Sequence, residues 1–154
     1  MVPESIEREI LIDAPLDVVW GVVTESQHVG DWFSDFAEID LRPGGQAILT
    51  WEKHGTARGR VERVEPPHFV SFRWMRLTAS GTELTEGNST LVEFSLTEAG
   101  EGTRLRVVES GFHKLDGTED ERAKYAEGNR EGWEVKLGEL RDYVSKRVRE
   151  SARG

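Results

Sequence analysis

The chain has 154 residues, enough for one domain that buries about 70% of its unfolded surface. Its hydrophobic fraction of 36% is modest, but 16 glycines bring the apolar total near the usual globular level, so a real core can form. The 29 acidic against 20 basic residues give a net charge of −9, which argues against nucleic acid or an anionic membrane as partner, since both need a basic surface.

Cysteine is absent, which removes disulfides, thiolate catalysis and cysteine-ligated zinc. No basic-then-apolar leader and no long apolar run appears, so the sequence reads as soluble and cytoplasmic.

From the N-terminus, Ile6 to Ile12 alternates as a strand with one mostly apolar face. Asp13-Ala14-Pro15 then opens a short helix, with proline suited to the first helical position and Asp17 complementing the positive end of its dipole. Val18, Val19, Trp20, Val22 and Val23 make that helix apolar on most sides. Thr24 reads as the N-cap of a second short helix ending at Gly30. Trp32-Phe33 follows at a junction, where paired aromatics close a core or line a pocket mouth.

Strands are predicted over Phe36 to Leu41, Gln46 to Trp51, Thr56 to Val64 and Phe69 to Met75. Pro43-Gly44-Gly45 and Pro66-Pro67 serve as breaks. Thr78 to Ser89 is a soft polar connection, the segment best suited to mobility. Leu91 to Leu96 is a further strand, and Glu98 to Gly102 a hairpin loop. In the strand that follows, Leu105 and Val107 share a face, and continuing the alternation places Glu109 on it. Thr118 and Glu121 form a capping-box pattern. Beyond it Tyr125, Asn129, Trp133, Leu137, Leu140, Val144 and Val148 recur at helical spacing, while the charged tail from Ser145 to Gly154 is expected to fray. Strand, two short helices, about six strands and one long helix make an α+β fold, the helix covering one face of a curved sheet.

Ala14-Pro15 with Val19-Trp20, Trp32-Phe33, Pro43-Gly44-Gly45, Glu65-Pro66-Pro67 and Phe72-x-Trp74 then recur in order with Thr103-Arg104-Leu105, Ser110-Gly111-Phe112 and Gly132-Trp133-x-x-x-Leu137. This series resembles the START-like superfamily, also called SRPBCC or Bet v-like. The branch it resembles is the one named after the activator of the heat-shock-protein 90 ATPase. The resemblance implies a helix-grip fold, a seven-stranded antiparallel sheet wrapped round the long C-terminal helix and enclosing a ligand cavity. One START-like domain over 1–154 is expected, with its core over about 6–144. The eukaryotic co-chaperone of that branch carries an additional N-terminal domain that makes much of its chaperone contact. This chain opens on the first strand of the START-like domain, so the branch name is weak support for chaperone activation.

For function, Trp51, Trp74, Phe94, Phe112 and Trp133 fall on inward faces, where they are core or the border of an apolar site. Gly132 inside the helix costs about 1 kcal/mol relative to alanine and suggests close approach of another group. Buried among Trp51, Trp74 and Leu105, Glu109 would have a raised pKa and could hold a ligand or act as acid or base; the alternative is a salt bridge to Arg8 or Arg106. Asn129, one turn before Trp133, is a polar anchor at the pocket or a surface amide. With Trp32 and Phe33 these make the expected ligand-binding set. His28, His54, His68 and His113 lack metal-ligand spacing, and neither a metal nor a cofactor is expected.

The first reading is therefore a protein, monomer or homodimer, binding a small hydrophobic molecule between sheet and terminal helix. The second is a stress-related co-chaperone acting on a chaperone partner. The third is a cavity enzyme using Glu109.

Overall fold

The computed structural model describes residues 2–53, 55–75 and 83–153, the side chains of 151–153 excepted. His54 and residues 78–82 of the polar connection lie outside the described residues. In chain order the elements are β1 (Ser5–Ile12), α1 (Leu16–Thr24), α2 (Ser26–Trp32), β2 (Phe36–Ile39), β3 (Gln46–Trp51), β4 (Gly55–Glu65), β5 (Phe69–Met75), β6 (Ser89–Ala99) and β7 (Gly102–Ser110). A 3-10 turn, Phe112–Lys114, then leads to α3 (Glu119–Arg153).

The seven strands form one antiparallel sheet in the order β1-β7-β6-β5-β4-β3-β2. The architecture is the expected α+β helix grip. Because β1 and β2 occupy opposite edges, the chain between them must cross the whole sheet, and α1 and α2 make that crossing. The helix α3 lies along the same inner face, burying Trp133, Leu137, Leu140 and Val144 at spacings of three and four residues. The sheet answers with Ile6, Val70, Val92, Phe94, Leu96, Leu105 and Val107. No described helix is long and apolar enough to cross a membrane.

Simple alternation in β4 would keep Arg63 on the inner face with Ala57, Gly59 and Val61. A β-bulge between Val61 and Arg63 resets the phase, so Val64 packs toward the core and Arg63 stays exposed. Gly59 stands opposite Trp74, and a Cβ on it would lie 2.6 Å from the Arg73 carbonyl oxygen; β5 can approach this closely only because no side chain is there.

Several local expectations are corrected. Thr24 does not cap α2: its hydroxyl donates back to the Trp20 carbonyl at 2.6 Å, the i−4 bond that competes with capping, and Glu25 takes the N-cap position. Pro15 is the N-cap of α1 rather than its first helical residue, and α2 runs past Gly30 to Trp32. The loop between β6 and β7 is tighter than expected, because Glu98 and Ala99 still pair, with Thr103 and Gly102. The charged tail expected to fray is helical as far as Arg153, where α3 ends. Val148 still packs against the core there, and basic residues in the last turns suit the negative end of the dipole. The capping box forms as read, with the Thr118 hydroxyl accepting from the Glu121 N–H at 3.1 Å and the Glu121 carboxylate from the Thr118 N–H at 3.2 Å.

Candidate functional site

Alternation along β7 carries Glu109 to the inner face, opposite Ile6 of β1 and Val92 of β6, where it is fully buried. Its two oxygens are held by donors from three elements. Trp133 Nε1 of α3 donates to Oε1 at 2.9 Å, and Trp74 Nε1 of β5 to Oε2 at 3.0 Å. Thr90 Oγ1 of β6 donates to Oε2 at 2.5 Å, and Asn129 Nδ2 bridges both oxygens at 3.1 and 3.0 Å. Loss of water raises the carboxyl above its ordinary 4.5, and the four hydrogen-bonding side chains oppose that rise. The ion pair weighed for Glu109 does not form: Arg8 reaches Glu134 at 3.9 Å and Arg106 reaches Glu7 at 2.7 Å.

Beside this cage the aromatics form a continuous cluster around Phe33, the residue that ends α2. Its ring stacks on Trp74 at 5.7 Å and on Trp133 at 5.6 Å, and meets Trp51 edge-on at 5.5 Å. Trp32 lies 5.1 Å away on the other side. Two indole bonds fix the local backbone: Trp51 Nε1 donates to the Phe33 carbonyl at 2.9 Å, and Trp32 Nε1 to the Val22 carbonyl at 2.9 Å. Phe94 closes on Trp133 edge-on at 5.7 Å. Phe112 is buried apart from these rings and packs on Tyr125 at 6.0 Å.

A cavity of about 40 Å³ opens on the far side of Phe33. Val23 and Thr24 of α1, Val29 and Trp32 of α2, and Phe33 form its roof. Ile39, Leu49, Val70, Phe72 and Phe94 are among the residues that form its floor. The hollow was expected where α3 crosses the strands; no residue of α3 borders this one. Where α3 crosses, Trp133, Leu137 and Leu140 fill the space instead. Gly132 likewise marks no close approach, because a Cβ there would meet nothing within 4 Å.

The sequence reading brought Trp74, Glu109, Asn129 and Trp133 to one point but missed Thr90. Thr90 continues the inward alternation of Val92, Phe94 and Leu96, and was lost by starting the strand at Leu91. It also missed a hydrogen-bonded link between α2 and α3. Tyr143 Oη donates to Asp31 Oδ2 at 3.1 Å and pairs with His28 Nδ1 at 2.8 Å, while His28 Nε2 lies 3.4 Å from Glu25. Burial, then the bond to Asp31, raises the Tyr143 phenol above its ordinary 10.0, so it remains a donor at neutral pH. Among the described residues no group of three or more His, Asp or Glu side chains is placed to hold a metal ion.

Comparison with solved structures returns chains of the same fold. The protein MLL2253 from Mesorhizobium loti superposes with a TM-score of 0.75 at 19% identity, over 92% of this chain and 97% of that one. BH1534 from Bacillus halodurans gives 0.73 at 28% identity, over 94% and 99%. The Aha1 dimer from Colwellia psychrerythraea gives 0.73 at 18% identity, over 91% and 95%. Comparison with curated proteins returns no match. A family model described as Activator of Hsp90 ATPase homolog 1-like protein matches residues 13–145, from the end of β1 through most of α3. The chain belongs to that family.

Proposed function

We propose that this chain binds a small, largely apolar or aromatic molecule beneath α1 and α2, against the ring of Phe33. The observation that carries the reading is the cavity itself, whose wall is aliphatic and aromatic except for Thr24. At about 40 Å³ it exceeds the space one water needs but falls well short of the ~300 Å³ where drug-sized sites begin. A larger occupant therefore enters by displacing Phe33 or lifting α2. Trp32, Phe33 and Phe94 would touch it directly. Trp51, Trp74, Glu109, Asn129 and Trp133 form the supporting wall, and Phe112 takes no direct part. Native mass spectrometry of freshly purified protein should show a co-purifying small molecule, and apolar aromatic probes should raise the melting temperature. A clean apo mass together with no shift from any probe overturns the reading.

The family description favours a second reading, a co-chaperone that raises the ATPase rate of a heat-shock chaperone through its surface. It is tested by ATPase assay with the cavity filled by mutation. An acid–base enzyme is less well supported. Each oxygen of Glu109 already accepts from at least two protein donors, leaving no oxygen directed at a substrate.

A further inference from the structure

We infer that the molecule admitted beside Phe33 is an organic cation, a flat or alkylated ammonium that takes the place of the Phe33 ring against Trp74 and Trp133. The inference rests on the ligand-binding reading above and adds the charge of the ligand.

Three observations lead to it. First, Glu109 is a buried carboxylate whose hydrogen-bonding partners, Trp74, Thr90, Asn129 and Trp133, are all neutral. The charged groups on the surrounding elements are turned elsewhere. On β1, Arg8 reaches Glu134 and the Glu7 carbonyl. On β5, Arg73 reaches Ser89, and on α3, Arg130 reaches Glu127. On β6 and β7, Glu93 and Arg106 occupy positions that alternation turns to the outer face, away from Val92 and Glu109. Among the described residues no cation pairs with Glu109, and a buried anion without a counter-charge is costly unless something supplies one.

Second, both indoles that Phe33 stacks on donate their N–H to this carboxylate. Such a bond pushes electron density onto the ring, and the face of an indole is already the best cation-binding surface among side chains. A cation against these rings gains from the π faces and from the anion behind them without needing a free carboxylate oxygen. Third, Phe33 borders both the cavity and the indoles, so the movement that enlarges the cavity also uncovers those rings. The net charge of −9 attracts cations from solution and disfavours anionic ligands.

The test is calorimetric titration of the full chain with three probes of one shape: phenethylammonium, 2-phenylethanol and 3-phenylpropanoate. Near pH 7 the ammonium should bind about tenfold tighter than the alcohol, and the carboxylate more weakly than either. The wild-type ammonium-to-alcohol ratio should shrink with acidification, as Glu109 takes up its proton. In Glu109→Gln the ratio should fall toward one while the alcohol still binds. Alcohol or carboxylate binding as tightly as the ammonium overturns the inference and leaves the pocket reading standing. If no probe binds, both fall. Should Glu109→Gln fail to fold, the wild-type pH series decides alone, and a ratio that does not change with pH overturns the inference.

Discussion

Trp133 of α3 and Trp74 of β5 point their indole N–H groups at opposite oxygens of one carboxylate, that of Glu109. The long helix is thereby fixed to the sheet through a charge-assisted polar joint inside an otherwise apolar layer. Every oxygen is satisfied, so the joint specifies position as well as adhesion.

Its pH dependence has a defined sign. Burial raises the folded-state pKa of Glu109 above the ordinary 4.5, so the folded chain holds this proton over a range where the unfolded chain has lost it. Stability therefore falls as pH rises from about 4.5 through the raised value. Urea denaturation of wild type and Glu109→Gln across that range should show the wild type losing ground relative to the variant with increasing pH. A difference that stays constant would show that the hydrogen bonds balance desolvation, and one that moves the other way that they outweigh it.

Trp133→Phe keeps most of the apolar volume but removes one donor, leaving Oε1 with Asn129 alone. Stability should drop by about 1–3 kcal/mol. Trp133→Ala also opens a cavity among Phe33, Trp74 and Phe94, and should cost about 3–5 kcal/mol in total. Chemical denaturation separates the two. Equal losses would mean that ring volume matters little and the N–H is the whole contribution.

Much of this was legible in the sequence, because period-two and period-3.6 patterns dictate which face is buried. Leu105, Val107 and Glu109 alternate inward as their spacing requires, and Thr118 with Glu121 caps α3 through purely local bonds. What escaped depends on contacts distant in sequence. The bond from Tyr143 to Asp31 joins residues 112 positions apart, and nothing local to either announces it. The hollow lay under α2 rather than α3 because side-chain volume, which periodicity does not report, decides where packing fails. Thr24 shows the converse problem: one hydroxyl can cap the next helix or bond back into the last, and its sequence neighbours do not choose.

Gly128 and Gly132 lie inside α3, exposed, with open space where a Cβ would point. Each carries the helix-interior penalty of glycine without a packing reason visible in the fold. Gly132→Ala and Gly128→Ala should each stabilise the protein by about 0.5–1 kcal/mol, read as a raised denaturation midpoint with an unchanged slope. A destabilised variant would show that something approaches this face in solution.

Tyr143→Phe removes the hydroxyl that links α3 to His28 and Asp31 of α2 while keeping the ring. A half-buried hydrogen bond contributes about 0.5–1.5 kcal/mol. Hydrogen exchange of the α2 amides should accordingly speed up about two- to tenfold, with the amides of β6 and β7 unchanged. Uniform acceleration across the sheet would instead make the link part of the global fold rather than a local tether on the cavity roof.

Filling the cavity separates an interior function from an exterior one. Ala47 of β3 lines the space under Phe33, and valine there adds two methyl groups toward a void of about 40 Å³. At ~24 cal/mol per Å³ of cavity, complete filling is worth about 1 kcal/mol, so Ala47→Val should hold or slightly raise the melting temperature. A fall of about 1–3 kcal/mol would mean that the methyls overpack the wall. In a well-folded Ala47→Val protein, thermal shifts from aromatic probes should disappear if ligands occupy this volume. Stimulation of a chaperone ATPase should survive unchanged if the protein acts through its surface. The two readings thus move in opposite directions in one variant, because only one of them needs the empty space beneath α2.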